Sequence, residues 1–257
     1  MRQQAEPNLA DADSSTQEQT EEPQDWGDLD VSLRLLDGFE LLVDGAAISV
    51  QPSAQRLLAY LALRERASDR RLAAAELWPD TSDRKANGNL RSVLWRVQRL
   101  GRSLMCGSAD RLELAPTTRV DVREARRRAR ALLEATQEIS DTRHDVEILS
   151  SDLLPGWWDD WVLTERERFR QLRLHALEAL CAALREQGRF PEALMAGLAA
   201  VAAEPLRESA QRKVIEVHLA EGNTVEALRQ CEGYRRLLYT ELGCEPSPSL
   251  LALTELR

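Results

Sequence analysis

Lysine is nearly missing from this 257-residue chain: Lys85 and Lys213 are the only two, and arginine supplies the rest of the positive charge. GC-rich coding alone can produce that bias, so the number of arginines assigns no function. Cysteine is sparse as well. Cys106, Cys181, Cys231 and Cys244 stand far apart without a Cys-x-x-Cys pair, which argues against a zinc site and a disulfide framework and makes reduced thiols the default. No stretch reaches membrane-spanning length without charges, and the start lacks the basic-then-apolar order of a signal peptide. A cytoplasmic protein with no membrane contact is expected. The signatures G-x-x-x-x-G-K-[ST], G-x-S-x-G and H-E-x-x-H do not occur. His144, His175 and His218 have no clustered cysteine or histidine partner in sequence. The expectation is a non-enzyme with no catalytic residue, no metal and no cofactor.

Charge is plentiful but unevenly placed. The net charge is -9 and the pI about 5.1, and Met1 to Asp30 alone hold nine acidic residues against Arg2. With the polar run Asp11 to Gln24 and Trp26 as its one aromatic, this segment has too little apolar surface to offset the entropy of ordering. Residues 1–30 are therefore expected to be a disordered acidic tail. The remaining length suits two folded units, 31–120 and 121–257.

The first unit opens on short apolar stretches between Val31 and Val50, broken at Asp37-Gly38 and Asp44-Gly45. Asp-Gly favours the positive φ of tight hairpin turns, so an antiparallel meander is predicted. Gln55 to Leu63 places Leu57, Leu58, Leu61 and Ala62 on one helical face, and Arg71 to Trp78 forms a second helix stopped by Pro79. The third helix is "DRKANGNLRSVLWRVQRLGR", Asp83 to Arg102. Stepping about 100° per residue from Ala86 gathers Leu90, Val93, Leu94, Val97 and Leu100 on one arc, which faces a core. The opposite arc carries Arg84, Lys85, Gly88, Arg91, Ser92, Trp95, Arg99 and Arg102, with Asn89 and Arg96 at its edge. No acid lies between Arg84 and Arg102. Ordinary surface helices mix signs to gain i,i+4 pairs; this one gains none, and one-sided repulsion points to an absent anion. A strand "RLELAP" (Arg111 to Pro116) follows. Meander, three helices and terminal hairpin, in that order, are the winged-helix plan.

In such a fold the third helix enters the major groove, where arginine reaches guanine O6 and N7 and asparagine reaches adenine N6 and N7. Arg91, central and outward, is the first candidate for a base contact. Asn87 and Asn89 are second candidates, equally suited to capping or packing. Lys85, Arg84, Arg99 and Arg102 suit phosphates, and Arg111 suits backbone tracking from the wing. Trp95 is read as packing on the wing or the first helix, with contact to sugar and base edges as the alternative.

The second unit repeats. "EQGRFPEAL" (Glu186 to Leu194) recurs as "EGNTVEAL" (Glu221 to Leu228), with Gly188 and Gly222 separated by the 34-residue tetratricopeptide period. Gly188 and Gly222 break the first helix of each pair, and Ala193 and Ala227 allow close approach of the second. Leu177, Leu180 and Leu184 with Leu194, Leu198 and Val201 are the expected buried seam. Such arrays usually bind proteins. "PGWWDDW" (Pro155 to Trp161) is read as the start of a helix whose tryptophans plug a domain interface. "REARRRAR" (Arg123 to Arg130) is read as a solvated or interdomain face, with a supplementary phosphate contact as the alternative. The fold class expected is mainly α with small antiparallel sheets: a winged-helix domain, then an all-α tetratricopeptide-like domain.

Six stretches in fixed order carry a resemblance: "RLLAYLAL" (Arg56 to Leu63), "ELWPD" (Glu76 to Asp80), "NLRSVLWRV" (Asn89 to Val97), "LLPGWWDDWV" (Leu153 to Val162), "EPLRE" (Glu204 to Glu208) and "ELGCEPSPSL" (Glu241 to Leu250). Along nearly the whole chain outside the acidic tail it resembles the Streptomyces antibiotic regulatory protein (SARP) family, which joins an OmpR-type winged helix to a bacterial transcriptional activation domain. It departs from the family where Val122 is followed by Arg123, Glu124 and Ala125 instead of an aromatic, and at Ser150-Ser151 before "DLLPG". The resemblance implies an activator of a secondary-metabolite (antibiotic) gene cluster that binds direct repeats of double-stranded DNA near the promoter -35 region, two protomers side by side. It also implies contact of the Trp78-Pro79 loop and the helical half with RNA polymerase or its sigma factor. Larger relatives carry a nucleotide-binding module whose phosphate loop does not occur in this sequence, so no ATP dependence is implied. Two alternatives stay open: a tetratricopeptide interaction scaffold, and a ligand-sensing regulator with a pocket between the domains.

Overall fold

The computed structural model describes residues 29–100, 104–134 and 139–255; the tail expectation for 1–28 falls outside them. The amino-terminal part runs β1 (Val31–Arg34), β2 (Glu40–Val43), β3 (Ala46–Ile48), α1 (Pro52–Leu63), β4 (Ser68–Asp69), α2 (Arg70–Leu77), α3 (Asp83–Leu100), β5 (Met105–Gly107), β6 (Arg111–Leu114) and β7 (Arg119–Val120). Asp44 and Gly45, at φ 47° and 79°, close β2 onto β3 in the expected two-residue hairpin, with Val43 opposite Ala46. Asp37 and Gly38 also take positive φ, but within a longer connection, because β1 pairs with β2 only as far as Arg34 opposite Glu40.

The first sheet has the order β3-β2-β1-β7, and β7 runs parallel to β1. The other strand pairs are antiparallel, as expected, and β7 adds one parallel pair to them. The chain leaving the wing rejoins the sheet beside β1 and passes directly from Val120 into the next helix, so its direction is fixed by that exit. The second sheet, β4-β6-β5, contains the wing hairpin. Asp69 caps α2, its carboxylate accepting from the N–H groups of Arg71 and Leu72 at 2.8 and 3.1 Å. Pro52 occupies the first turn of α1, where its missing N–H costs nothing.

The carboxyl-terminal part is helical: α4 (Asp121–Leu133), α5 (Thr142–Ser150), α6 (Asp160–Glu186), α7 (Phe190–Ala203), α8 (Glu208–Glu221), α9 (Thr224–Leu242) and α10 (Pro248–Glu255). Gly188 and Gly222 take left-handed φ of 72° and 90°, ending α6 and α8 as the 34-residue repeat requires. The predicted seam is half right. Leu177, Leu180 and Leu184 are buried, and Leu194 and Val201 are partly buried, but Leu198 is 48% exposed. The buried face of α7 is Ala193, Ala196, Gly197 and Ala200. The stretch "FPEALMAGLAAVAA" is apolar almost all round, so periodicity does not mark its inner side; small side chains win because they let the helices approach closely.

Two devices join the halves. The Asp121 carboxylate accepts from the backbone N–H groups of Leu35 and Leu36, each at 2.9 Å, and of Val122 at 2.6 Å. Burial pushes its carboxyl up, against the pull of those N–H groups. Beyond it, Leu36 bridges Leu153, and Leu154 N donates to Leu35 O at 2.9 Å. One apolar core accordingly runs from Leu33, Leu57, Tyr60 and Leu90 through to Leu153, Leu154, Trp161, Val162 and Phe169.

Candidate nucleic-acid interface

Helix α3 divides as its wheel predicts. Ala86, Leu90, Val93, Leu94 and Val97 are buried, and Leu100 packs against the same core. This apolar stripe fixes the rotation of the helix and turns Arg84, Lys85, Arg91, Ser92, Trp95, Arg96 and Arg99 to solvent. Among the described residues no carboxylate lies within ion-pair distance of Arg84, Lys85, Arg91, Arg96 or Arg99; the contacts are Arg96 to Ser53 Oγ at 3.2 Å and Arg99 over the Trp95 ring at 4.8 Å. Elsewhere most arginines are engaged. Arg126 pairs with Glu165, Arg128 with Asp145, Arg207 with Glu178 and Arg235 with Glu245. The α3 face is therefore cationic because the fold places no acid against it, not because arginine is common.

The individual candidates differ. Asn87 is half-buried and donates to Asp83 O at 2.7 Å, and Ser92 donates to Gly88 O at 3.2 Å, so both are bonded back to their own helix. Asn89 is half-buried. Arg111 stands on β6 and donates to Ala67 O at 2.8 Å, which ties it back to the chain just before β4. Arg102 lies outside the described residues. Trp95 is 58% exposed; it lies under the Arg99 guanidinium and shares a groove with Pro52 and Ala54 at the start of α1, the first-helix side of the two placements expected. Arg96 was visible only as an edge position of the wheel; its tie to Ser53 depends on how α1 crosses α3, which no local pattern records.

The α2–α3 connection carries Trp78 and Pro79 onto the rim of a cleft of about 840 Å³, whose other wall is the start of α6 with Trp158 and Trp161. The three tryptophans of "PGWWDDW" have separate fates. Trp161 is buried edge-on to Tyr60, with centroids 5.5 Å apart, and Trp157 stacks on Phe39 at 6.2 Å, both consistent with an interface plug. Trp158 is 76% exposed. Only Trp161 belongs to the helix, because α6 begins at Asp160. The basic run of α4 is divided: Arg127 and Arg130 are exposed and pair with Glu124 and Glu65, while Arg123 and Arg126 turn inward. Arg123 donates to Ala62 O at 2.8 Å, Arg64 O at 3.0 Å and Leu61 O at 3.1 Å, closing the carboxyl end of α1, and Arg126 donates to Leu63 O at 3.2 Å.

Among the described residues no three histidine, cysteine or acidic side chains cluster as metal ligands would, and no helix is long and apolar enough to cross a membrane. Burial among α6, α7 and α8 pushes the Cys181 thiol up to about 11, which leaves it unreactive.

Comparison with known proteins agrees with this architecture. The model of the bacterial transcriptional activator domain matches residues 119–256. "Regulatory protein AfsR" of Streptomyces coelicolor is 28% identical over 228 residues, covering 82% of this chain and 22% of its own length. The protein of the same name from Streptomyces griseus is 29% identical over 235 residues, covering 85% and 23%. The chain thus spans under a quarter of the length of these curated relatives. A solved structure, Mycobacterium tuberculosis EmbR in complex with a low affinity phosphopeptide, superimposes with a TM-score of 0.59 at 19% identity, covering 88% of this chain and 64% of that one; the likeness is one of fold. Matched over more than half its length by the domain model, the chain belongs to the bacterial transcriptional activator domain family.

Proposed function

We propose that the protein is a sequence-specific activator of transcription, with no catalytic activity, that reads double-stranded DNA with α3. The observation that carries this is the exposed face of Arg84, Lys85, Arg91, Arg96 and Arg99, which has no carboxylate partner among the described residues. A helix of this kind standing proud of a winged-helix core fits the major groove, with Arg91 placed for a base edge and the outer cations for phosphates. Asn87, Asn89, Ser92, Trp95 and Arg102 complete the proposed surface, and Arg111 the wing contact. Two protomers on direct repeats near the promoter -35 region, in a secondary-metabolite gene cluster, is the reading that the resemblance to the SARP family supports. Trp78 and Pro79, on the cleft shared with α6, are assigned to RNA polymerase or its sigma factor. A cytoplasmic, nucleoid-associated location follows from that role.

The test is fluorescence anisotropy with duplex from upstream of the neighbouring genes against scrambled duplex, across a salt series. Preference for the native sequence with a steep salt slope is expected. Equal, weak binding to both duplexes would leave the scaffold reading, in which the tetratricopeptide half holds a protein.

A further inference from the structure

We propose that the segment Met1–Asp28 is a tethered polyanion that docks on the exposed face of α3 and competes there with DNA. The inference rests on the DNA-binding reading of that face. Three observations meet in it. The face holds five cations without a carboxylate partner among the described residues. The segment holds eight carboxylates against the single side-chain cation Arg2. It is also rooted on the same unit: Asp30 pairs with Arg119, and its N–H donates to Asp44 Oδ1 at 2.9 Å. Each is ordinary alone; together they set an anionic strand and an unneutralised cationic surface on one chain.

Reach is not limiting. A chain of this length extends up to about 95 Å, against a diameter of roughly 30 Å for a domain of the winged-helix unit's size. Tethering holds a short segment at an effective concentration on the order of 1 mM. If its contact with α3 has a Kd near ~0.1 mM, the weak end of sequence-independent polyanion binding, the free face falls about tenfold. Competition lowers affinity for every duplex by the same factor. Non-specific DNA, already near the limit of binding at physiological salt, is then lost first, while a cognate site with base contacts stays occupied. The contact is electrostatic and weakens as salt rises.

The experiment compares the full chain with a full-length variant in which the eight carboxylates from Glu6 to Asp28 are replaced by their amides. Random duplex should bind the variant about tenfold more tightly at low salt, and the difference should shrink as salt is added. A labelled peptide of Met1–Asp28 should bind the amide variant without DNA present, and lose that binding when Arg84, Lys85 and Arg91 are changed to Gln. Unchanged duplex affinity overturns the proposal. So does a gain in duplex affinity without peptide binding, since that outcome is long-range repulsion between tail and DNA. If neither protein binds any duplex, the DNA-binding reading fails on its own, and the peptide still decides whether the segment docks on α3.

Discussion

Arg91 and Lys85 sit on one helix face and are expected to fail differently when removed. A bidentate guanine contact is worth about 1–3 kcal/mol of discrimination, so Arg91→Ala should lose that much at the cognate site and relax base preference at one position. Lys85 is the proposed phosphate contact. Lys85→Ala should weaken all duplexes alike and reduce the salt slope by about one unit. Titrations of both variants against cognate and scrambled DNA separate the two patterns, and parental binding by both would remove α3 from the interface. Gly88 adds a test of how near the helix comes to its ligand. A Cβ there would meet only Arg91 Nη2, at 3.8 Å, within a 4 Å radius, so Gly88→Ala should stabilise the fold by about 1 kcal/mol through helix propensity. The same methyl stands on the proposed DNA side. Thermal stability should rise while DNA affinity falls, and a rise in both would mean that the backbone keeps its distance from the duplex.

At the scale of elements, legibility followed amphipathicity. Helix α3 could be oriented from its sequence because its apolar stripe is narrow and flanked by charge, and the structure buries Ala86, Leu90, Val93, Leu94 and Val97 as that stripe requires. Helix α7 could not, because Leu194, Met195, Leu198 and Val201 are as apolar as the alanines that occupy the interior. The deciding contact is Gly197. A Cβ there would stand 2.9 Å from Val214 Cγ2 and 3.1 Å from Cys181 Sγ, on the two neighbouring helices. Such crowding is a property of three helices at once and leaves no trace in a local period. Gly197→Ala should therefore overpack the α6–α7–α8 contact and destabilise the chain by about 1–3 kcal/mol despite better helix propensity. Leu198→Ala, at an exposed position, should stay within about 0.5 kcal/mol. Denaturant midpoints of the two variants test this assignment of faces, and a reversed order would contradict it. The arginines of α4 teach the same lesson: "REARRRAR" reads as a solvated or interdomain face, and only the carbonyls at the end of α1 show that Arg123 and Arg126 take the second course while Arg127 and Arg130 take the first.

At the scale of the whole molecule, the unit proposed to read DNA is not independent of the rest. Composition divides the chain sharply: Val31 to Val120 hold fourteen basic and ten acidic residues, while the acidic excess lies on either side of them. Packing does not follow that division. Leu153, Leu154, Trp161, Val162 and Phe169 belong to the same core as Leu57, Tyr60 and Leu90, and the side chains of Arg126 and Glu165 pair at 2.7 Å while almost fully buried. Each large apolar side chain contributes about 1.5–3 kcal/mol by burial. Five of them, taken together, are comparable with the roughly 5–15 kcal/mol of net stability typical of a domain. A fragment ending at Val120 would lose all five and expose the ring of Tyr60. It should show no cooperative thermal transition, whereas a fragment carried through α6 should restore one. In the intact chain, near-ultraviolet dichroism of Trp161 beside Tyr60 and the loss of the proposed DNA binding on heating should coincide, because α3 and the start of α6 rest on one core. A fragment of 31–120 that melts cooperatively near the midpoint of the intact chain would show the opposite: a self-sufficient reader merely tied to its helical partner.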